Sequence, residues 1–274
     1  MKLTIITINY NNASGLQKTM DSVFIQTSTD FEYIVVDGGS IDCSIEFIKQ
    51  FDSIAVKPFS WISERDKGIY NAMNKGIKLA KGDFLQFLNS GDCLVDKNVT
   101  ERMLKAIPTD CEIFYGNMLK QVSNKNLRDK GFDGRMPTMI DFYTGTLNHS
   151  SAYLKSDLFK IYGLYDESLK IVSDWKWYLK VIAMNGIVPV YVNVDVSVFD
   201  MNGISTINSG LEREERRKVL IELFPVSILS DYNHFSIHMD QLSRINRYLL
   251  TRKVFWLAER FLFKFEKIFR NKNS

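Results

Sequence analysis

The chain has 274 residues, of which 45% are hydrophobic and 24% charged, enough to build a substantial core and unlike a disordered or disulfide-stapled chain. Its 35 Lys and Arg nearly balance its 32 Asp and Glu. From Gln241 onward Arg244, Arg247, Arg252, Lys253, Arg260, Lys264, Lys267, Arg270 and Lys272 face only Glu259 and Glu266, so the remainder is slightly acidic. A nucleic-acid enzyme carries its basic residues through the main domain, so no nucleic-acid partner is expected. Cys43, Cys93 and Cys111 are odd in number, lack zinc spacing and read as reduced cytosolic thiols. No run of about 18 uncharged apolar residues predicts a membrane span. The opening MKLTIITINYNN has too short an apolar run for a signal-peptide core and is read as a first strand.

In chain order, Leu3 to Ile8 is β-rich, and an amphipathic segment follows from about Ala13 to Gln26. Tyr33 to Val36 is a second strand ending at Asp37, Gly38-Gly39-Ser40 a tight turn, and Asp42 to Phe51 a helix. Trp61 to Ser63 is a weak third strand. Ile69 to Ala80 is a helix with Ile69, Met73, Ile77 and Ala80 on one face. Phe84 to Leu88 is a short apolar strand, followed by a helix from about Lys97 to Ala106. This alternation predicts a mostly parallel sheet covered on both faces. Later, Glu112 to Tyr115 is a strand, and polar Ser123 to Met136 is expected to be a mobile loop. Ala152 to Leu154 is a short strand, Asp157 to Tyr162 a short helix, Ser173 to Met184 a stronger helix, and Val188 to Val198 extended. Ser209 to Leu223 is a charged helix ending at Pro225, and a last helix runs from about Leu242 to Phe269.

Chemistry-bearing residues cluster where strands end, the ligand-binding edge of an open α/β sheet. Asn9-Tyr10-Asn11-Asn12 follows the first strand, either to bind a nucleotide or to cap the next helix. Asp37 opens the turn DGGSID, where a carboxylate can accept hydrogen bonds from a ligand or simply close the turn. Glu64, Arg65, Asp66 and Lys67 crowd another strand end, and Asn71, Asn74 and Lys75 continue that polar edge. The Phe84 to Leu88 run stops at Asn89-Ser90-Gly91-Asp92. Asp174 follows Ser173 at a helix start, good capping chemistry with or without catalysis.

Seven segments in order then resemble a family 2 glycosyltransferase of the GT-A fold, similar to small transferases of bacterial O-antigen, capsule and colanic-acid gene clusters. They are TIITINYNN (4 to 12), YIVVDGGSIDCS (33 to 44), SERDKGIYNAMNKGI (63 to 77), GDFLQFLNSGD (82 to 92), NHSSAYLKSDLF (148 to 159), IVSDWKWYLKV (171 to 181) and FDMNGIST (199 to 206). The resemblance implies an α/β, Rossmann-like GT-A sheet flanked by helices over residues 1–225, with a basic amphipathic helical extension over 226–274.

The resemblance also implies roles. Thr7, Asn9 and Tyr10 would line the nucleotide pocket, Asp37 would hold base or ribose with Ser40 nearby, Asp66 would sit against the base, and Asn74 near the diphosphate. Many relatives have arginine at the Met73 position, and Lys67 or Lys75 would supply that charge here. Asn89 and Ser90 would serve the sugar nucleotide. Relatives carry a metal-binding carboxylate at the Gly91 position, so Asp92 alone would hold Mn2+ or Mg2+. Asp174 would be the base of an inverting transfer from a UDP- or GDP-linked sugar. His149 would contact acceptor or phosphate, and Trp175 or Trp177 would offer a sugar-stacking surface. Phe255, Leu262, Phe265 and Phe269 share one face of the last helix and Lys253, Arg260, Lys264 and Lys267 the other, as in a helix lying on an anionic membrane. The expected setting is cytoplasmic, peripheral at the inner face of the cell membrane, with a lipid-linked oligosaccharide acceptor. Packing of that helix on the catalytic domain, or on a second copy as a homodimer, is the other reading. A catalytically weak nucleotide-sugar-binding or scaffold protein is the alternative function.

Overall fold

The computed structural model describes residues 1–55, 57–122, 125–201, 208–246 and 249–270. These divide into two compact units, Met1–Val219 and Leu220–Ser274.

The first unit is built on one sheet. Leu3–Asn9 (β1), Phe31–Asp37 (β2), Phe59–Ser63 (β3) and Phe84–Phe87 (β4) run parallel in the order β3-β2-β1-β4. β1 and β2 are buried along their whole length. Helices Ala13–Phe24 (α1), Ser44–Ile54 (α2), Ile69–Leu79 (α3) and Val99–Lys105 (α4) complete this half. One face buries Leu3, Ile5, Tyr33 and Val35 with Leu16, Met20 and Ile48 of the helices. Strands covered on both sides read as continuous β-branched runs, which is why this half is plain in the sequence.

Beyond β4 the pairing becomes mixed. Ala152–Lys155 (β8) lies antiparallel to β4, Ile113–Val122 (β6) antiparallel to β8, and Val190–Phe199 (β9) parallel to β6. The short Cys93–Leu94 (β5) pairs antiparallel with the end of β9. Helices Met139–Thr144 (α5), Asp157–Tyr162 (α6) and Ser173–Tyr178 (α7) follow their strands. The predicted helix over Ser173 to Met184 is α7 continued by a π-helical stretch, Leu179–Met184.

Two expectations change. The Ser123 to Met136 segment is not simply a loop: Lys125–Asp129 (β7) pairs antiparallel with β6, from Met118 opposite Asp129 to Val122 opposite Lys125. Its register is held by charge, with Lys120 on Asp129 (2.9 Å) and Arg128 on Asp195 (2.7 Å), so no buried apolar alternation marks it. The C-terminal region holds more helix than expected. After Ser209–Leu223 (α8), Pro225 precedes Val226–Asn246 (α9), and Leu249–Arg270 (α10) follows. Among the described residues no helix is long and apolar enough to cross a membrane.

Candidate active site

Two cavities open at the carboxyl ends of the parallel strands and share a wall. The larger, about 400 Å³, is lined by Asn9, Tyr10, Asp66, Ser90, Asp92 and Asp200 among others. The smaller, about 170 Å³, is lined by Tyr70, Met73, Asp174, Trp175 and the cationic Lys170 and Arg216. Ile69, Asn89, His149 and Phe199 border both.

The ends of β1 and β2 are locked by a polar network. Asp37 is fully buried and accepts from Asn9 Nδ2 (2.8 Å), Ser40 Oγ (2.6 Å), Ser40 N (2.9 Å) and Ser63 Oγ (2.7 Å). Burial opposes its ionisation, but these donors outweigh burial and hold its pKa below the ordinary carboxylate value. Asn9 Oδ1 accepts from Ser90 Oγ (2.8 Å), so the β1 end also fixes the turn after β4. Asp66 approaches the β2 turn so closely that a Cβ on Gly38 would lie 2.4 Å from its Oδ2. A side chain at position 38 would therefore have to displace the Asp66 carboxylate.

The smaller cavity is centred on Asp174. Tyr70 Oη donates to Asp174 Oδ1 (2.9 Å), and His149 Nδ1 lies 3.4 Å from Asp174 Oδ2. Burial again opposes ionisation, yet the His149 bond and charge, Tyr70 and the Trp175 N–H lower the Asp174 pKa. For His149, burial works against the imidazolium, but Asp174 and then Asp92 outweigh it and raise its pKa. His149 Nε2 faces Asn89 Nδ2 at 3.2 Å and Asp92 Oδ2 at 4.0 Å. Asp92 is 3% exposed, and burial pushes its pKa up to about 6, against the opposing His149 charge.

Of the residues singled out in the sequence, Asn9, Tyr10, Asp66, Asn89, Ser90, Asp92, His149, Asp174 and Trp175 line these cavities. Thr7, Asp37, Ser40, Lys67, Asn74 and Lys75 are not among the lining residues. Thr7 donates to Leu88 O (2.7 Å) and accepts from Tyr33 Oη (2.9 Å), tying β1 to its neighbours. Asn74 clips α3 to the 165–167 loop, donating to Tyr165 O and Glu167 Oε1 (both 2.9 Å) and accepting from Tyr165 N (3.0 Å). Lys75 pairs with Glu64 (2.8 Å). The Lys67 amide N–H donates to Asn71 Oδ1 (3.2 Å). Trp177 stacks on Phe159 (4.6 Å) in the core, leaving Trp175 as the cavity tryptophan. The last part of the FDMNGIST segment, 202–206, lies outside the described residues.

Sequence reasoning missed Tyr70, Asp200, Glu215 and Arg216. Glu215 is buried and accepts from the Lys170 and Ile171 amides (2.8 and 2.9 Å), fixing the approach to Asp174. Arg216 lies over the Trp175 ring (4.8 Å) and donates to Gly145 O (3.1 Å). In sequence both are ordinary members of the charged run EREERRK.

The profile of Glycosyl transferase family 2 matches residues 4–161, more than half of the chain. The chain belongs to glycosyl transferase family 2. A PGL/p-HBAD biosynthesis glycosyltransferase of Mycobacterium bovis is 26% identical over 204 residues, covering 73% of this chain and 77% of that one. An uncharacterized glycosyltransferase of Mycobacterium tuberculosis is 29% identical over 211 residues, covering 74% and 77%. The fold matches Staphylococcus aureus TarS 1–349 in complex with UDP-GlcNAc, at TM-score 0.64 and 18% identity over 92% of this chain and 78% of that one. It also matches the mannosyltransferase PcManGT of Pyrobaculum calidifontis in complex with GDP-Man and Mn2+, at TM-score 0.60 and 16% identity over 72% of this chain. The family 2 chain spans 56% of PcManGT and 46% of the longer TarS chain. These neighbours share the GT-A fold, as the family resemblance implied.

Among the described residues no group of three or more His, Cys, Asp or Glu is arranged to hold a metal ion. The carboxylates of Asp92 and Asp200 nonetheless suit a hard divalent cation that takes one or two protein oxygens and completes its shell from diphosphate and water.

Proposed function

We propose that this family 2 glycosyltransferase moves a sugar, with inversion, from a UDP- or GDP-linked donor to an acceptor hydroxyl. The observation that carries this reading is the shared wall: Asp174 faces a cavity that meets the donor-sized cavity at Asn89 and His149.

The nucleotide sugar occupies the larger cavity, against Tyr10 and Asp66, with its diphosphate toward Ser90 and Asp92. The acceptor enters the smaller cavity, beside the Arg216 guanidinium that covers Trp175. Asp174, kept ionised by its neighbours, takes the acceptor hydroxyl proton as general base. The oxygen forms a bond to the anomeric carbon from the face opposite the nucleotide. The bond from that carbon to the diphosphate oxygen breaks, and its electron pair leaves with the diphosphate. Asp92 would hold a divalent cation, which when bound would stabilise that leaving charge as a Lewis acid. His149 orients the Asp174 carboxylate through Nδ1.

The acceptor we propose is a lipid-linked oligosaccharide at the cytoplasmic membrane surface, with residues 226–274 as the membrane-facing extension. In α10, Val254, Trp256, Leu257, Phe261, Leu262 and Phe263 are exposed, as are Lys253 and Arg260. Phe255 is only half-exposed, and the side chains of Lys264, Phe265, Lys267 and Phe269 lie outside the described residues. Exposed apolar area beside cations suits an anionic bilayer.

Incubation with UDP- and GDP-sugars, with and without Mn2+, tests the donor reading by release of free nucleoside diphosphate. The anomeric configuration of the product, read by NMR, tests inversion. No turnover of any donor would leave the scaffold reading. Deleting residues from Gln241 should abolish sedimentation with anionic vesicles, and unchanged sedimentation would remove the tail as anchor.

A further inference from the structure

Gly91 turns the chain at φ +109°, a conformation that side chains rarely adopt. A Cβ built there would lie 2.5 Å from Asp200 Oδ2, 3.1 Å from Asp200 Cβ and 3.2 Å from Asp200 Cγ. The space that a side chain at position 91 would enter is therefore filled by the carboxylate of Asp200, brought in by the end of β9. The two segments are tied, because the Asp200 N–H donates to Asp92 Oδ1 (2.8 Å). That bond occupies one Asp92 oxygen, and the other faces His149. Asp92 is almost fully buried, whereas Asp200 is half-exposed and borders the donor cavity.

We propose that Asp200 supplies the cation-binding carboxylate that position 91 lacks, so that Asp200 and Asp92 together hold the divalent ion on the donor diphosphate. This rests on the transferase reading above. The ligand chemistry is that of Mg2+ or Mn2+, which favour carboxylate oxygen, and there is no thiolate among these donors. In the same turn Asn89 Oδ1, close to Asp92 in sequence, is buried without a hydrogen-bond partner. With so few protein oxygens, the shell needs diphosphate and water to close. The site therefore predicts that cation and nucleotide bind tightly only together.

The test is a Mn2+ titration of the full chain, following the paramagnetic resonance of free Mn2+, alone and with UDP or GDP. Wild-type protein should bind Mn2+ weakly alone and much more tightly with the matching nucleotide. Asp200→Asn, which keeps the shape and the backbone N–H to Asp92, should weaken nucleotide-dependent Mn2+ binding by at least about tenfold. Its circular dichroism reports whether it is folded. Asp200→Glu, which restores the charge, should recover part of the affinity. Wild-type Mn2+ affinity in a folded Asp200→Asn would overturn the assignment of Asp200, as would wild-type nucleotide binding that ignores Mn2+. Failure of the wild type to bind either nucleotide under any condition would instead overturn the transferase reading.

Discussion

Tyr70 donates its phenol hydrogen to Asp174 across 104 positions of sequence, joining the first turn of α3 to the start of α7. With His149 on the other oxygen, the carboxylate is held from two sides and points into the smaller cavity. Asp174→Asn keeps the size of the side chain but removes the base. Transfer should fall by about 10²–10⁴-fold, the usual range for a positioned base. Donor affinity, measured by calorimetry, should stay near wild type, and unchanged turnover would reassign the base. Because the Asp174 pKa is lowered, the acid limb of wild-type transfer due to this group should lie below the ordinary carboxylate range.

Glu215 acts through the loop before Asp174. Replacing it with alanine leaves the Lys170 and Ile171 amides without their acceptor, at a cost of about 1–3 kcal/mol for a buried unsatisfied group. A displaced loop misplaces the base, so kcat should drop while the KM for donor changes little. Glu215→Gln, which keeps one acceptor oxygen, should recover part of kcat. Equal loss of stability with kcat intact would make Glu215 a purely structural residue.

Asp37 links stability to pH. Its donors lower its pKa in the folded state, so its contribution is present above the unfolded value near 4 and is lost as pH falls through the lower folded value. Asp37→Asn should therefore be most destabilised relative to wild type near neutral pH. The gap in unfolding midpoint should narrow below about pH 4. A gap that stayed constant to pH 2.5 (about one unit below the ordinary value) would show that shape, not charge, is what the network needs.

Asn74 separates a packing role from a binding one. Its three hydrogen bonds hold the 165–167 loop against α3, and it lines neither cavity. Asn74→Ala should destabilise the fold by about 1–3 kcal/mol in urea denaturation. Nucleotide affinity of the folded fraction should remain within a factor of about two, well under the 1.4 kcal/mol that a tenfold change represents. A selective loss of nucleotide affinity would restore the diphosphate role.

The parallel half of the fold was legible because β1, β2 and β4 are buried on both faces, and Asn9, Asp66, Asn89 and Asp174 sit at element ends where motif and periodicity coincide. Thr7 and Asn74 belong to matching segments too, but proximity along the chain to a site is not exposure to it. Strand β7 was hidden because ion pairs rather than apolar alternation hold it. Glu215 and Arg216 were hidden for a different reason. Each gains its role from a partner far away in sequence, Ile171 and Trp175 respectively, and nothing local distinguishes them from surface charge.

The shared wall between the cavities separates two sets of residues. The larger cavity is lined chiefly by residues before position 93, while the smaller one adds residues from Thr146 to Arg216 to Ile69, Tyr70, Met73 and Asn89. On the proposed assignment of acceptor to the smaller cavity, substitutions at Lys170, Glu212 or Arg216 should redirect which hydroxyl is glycosylated without touching Tyr10, Asp66 or Ser90. On that assignment Ile69, Asn89, His149 and Phe199, which border both cavities, answer to both substrates.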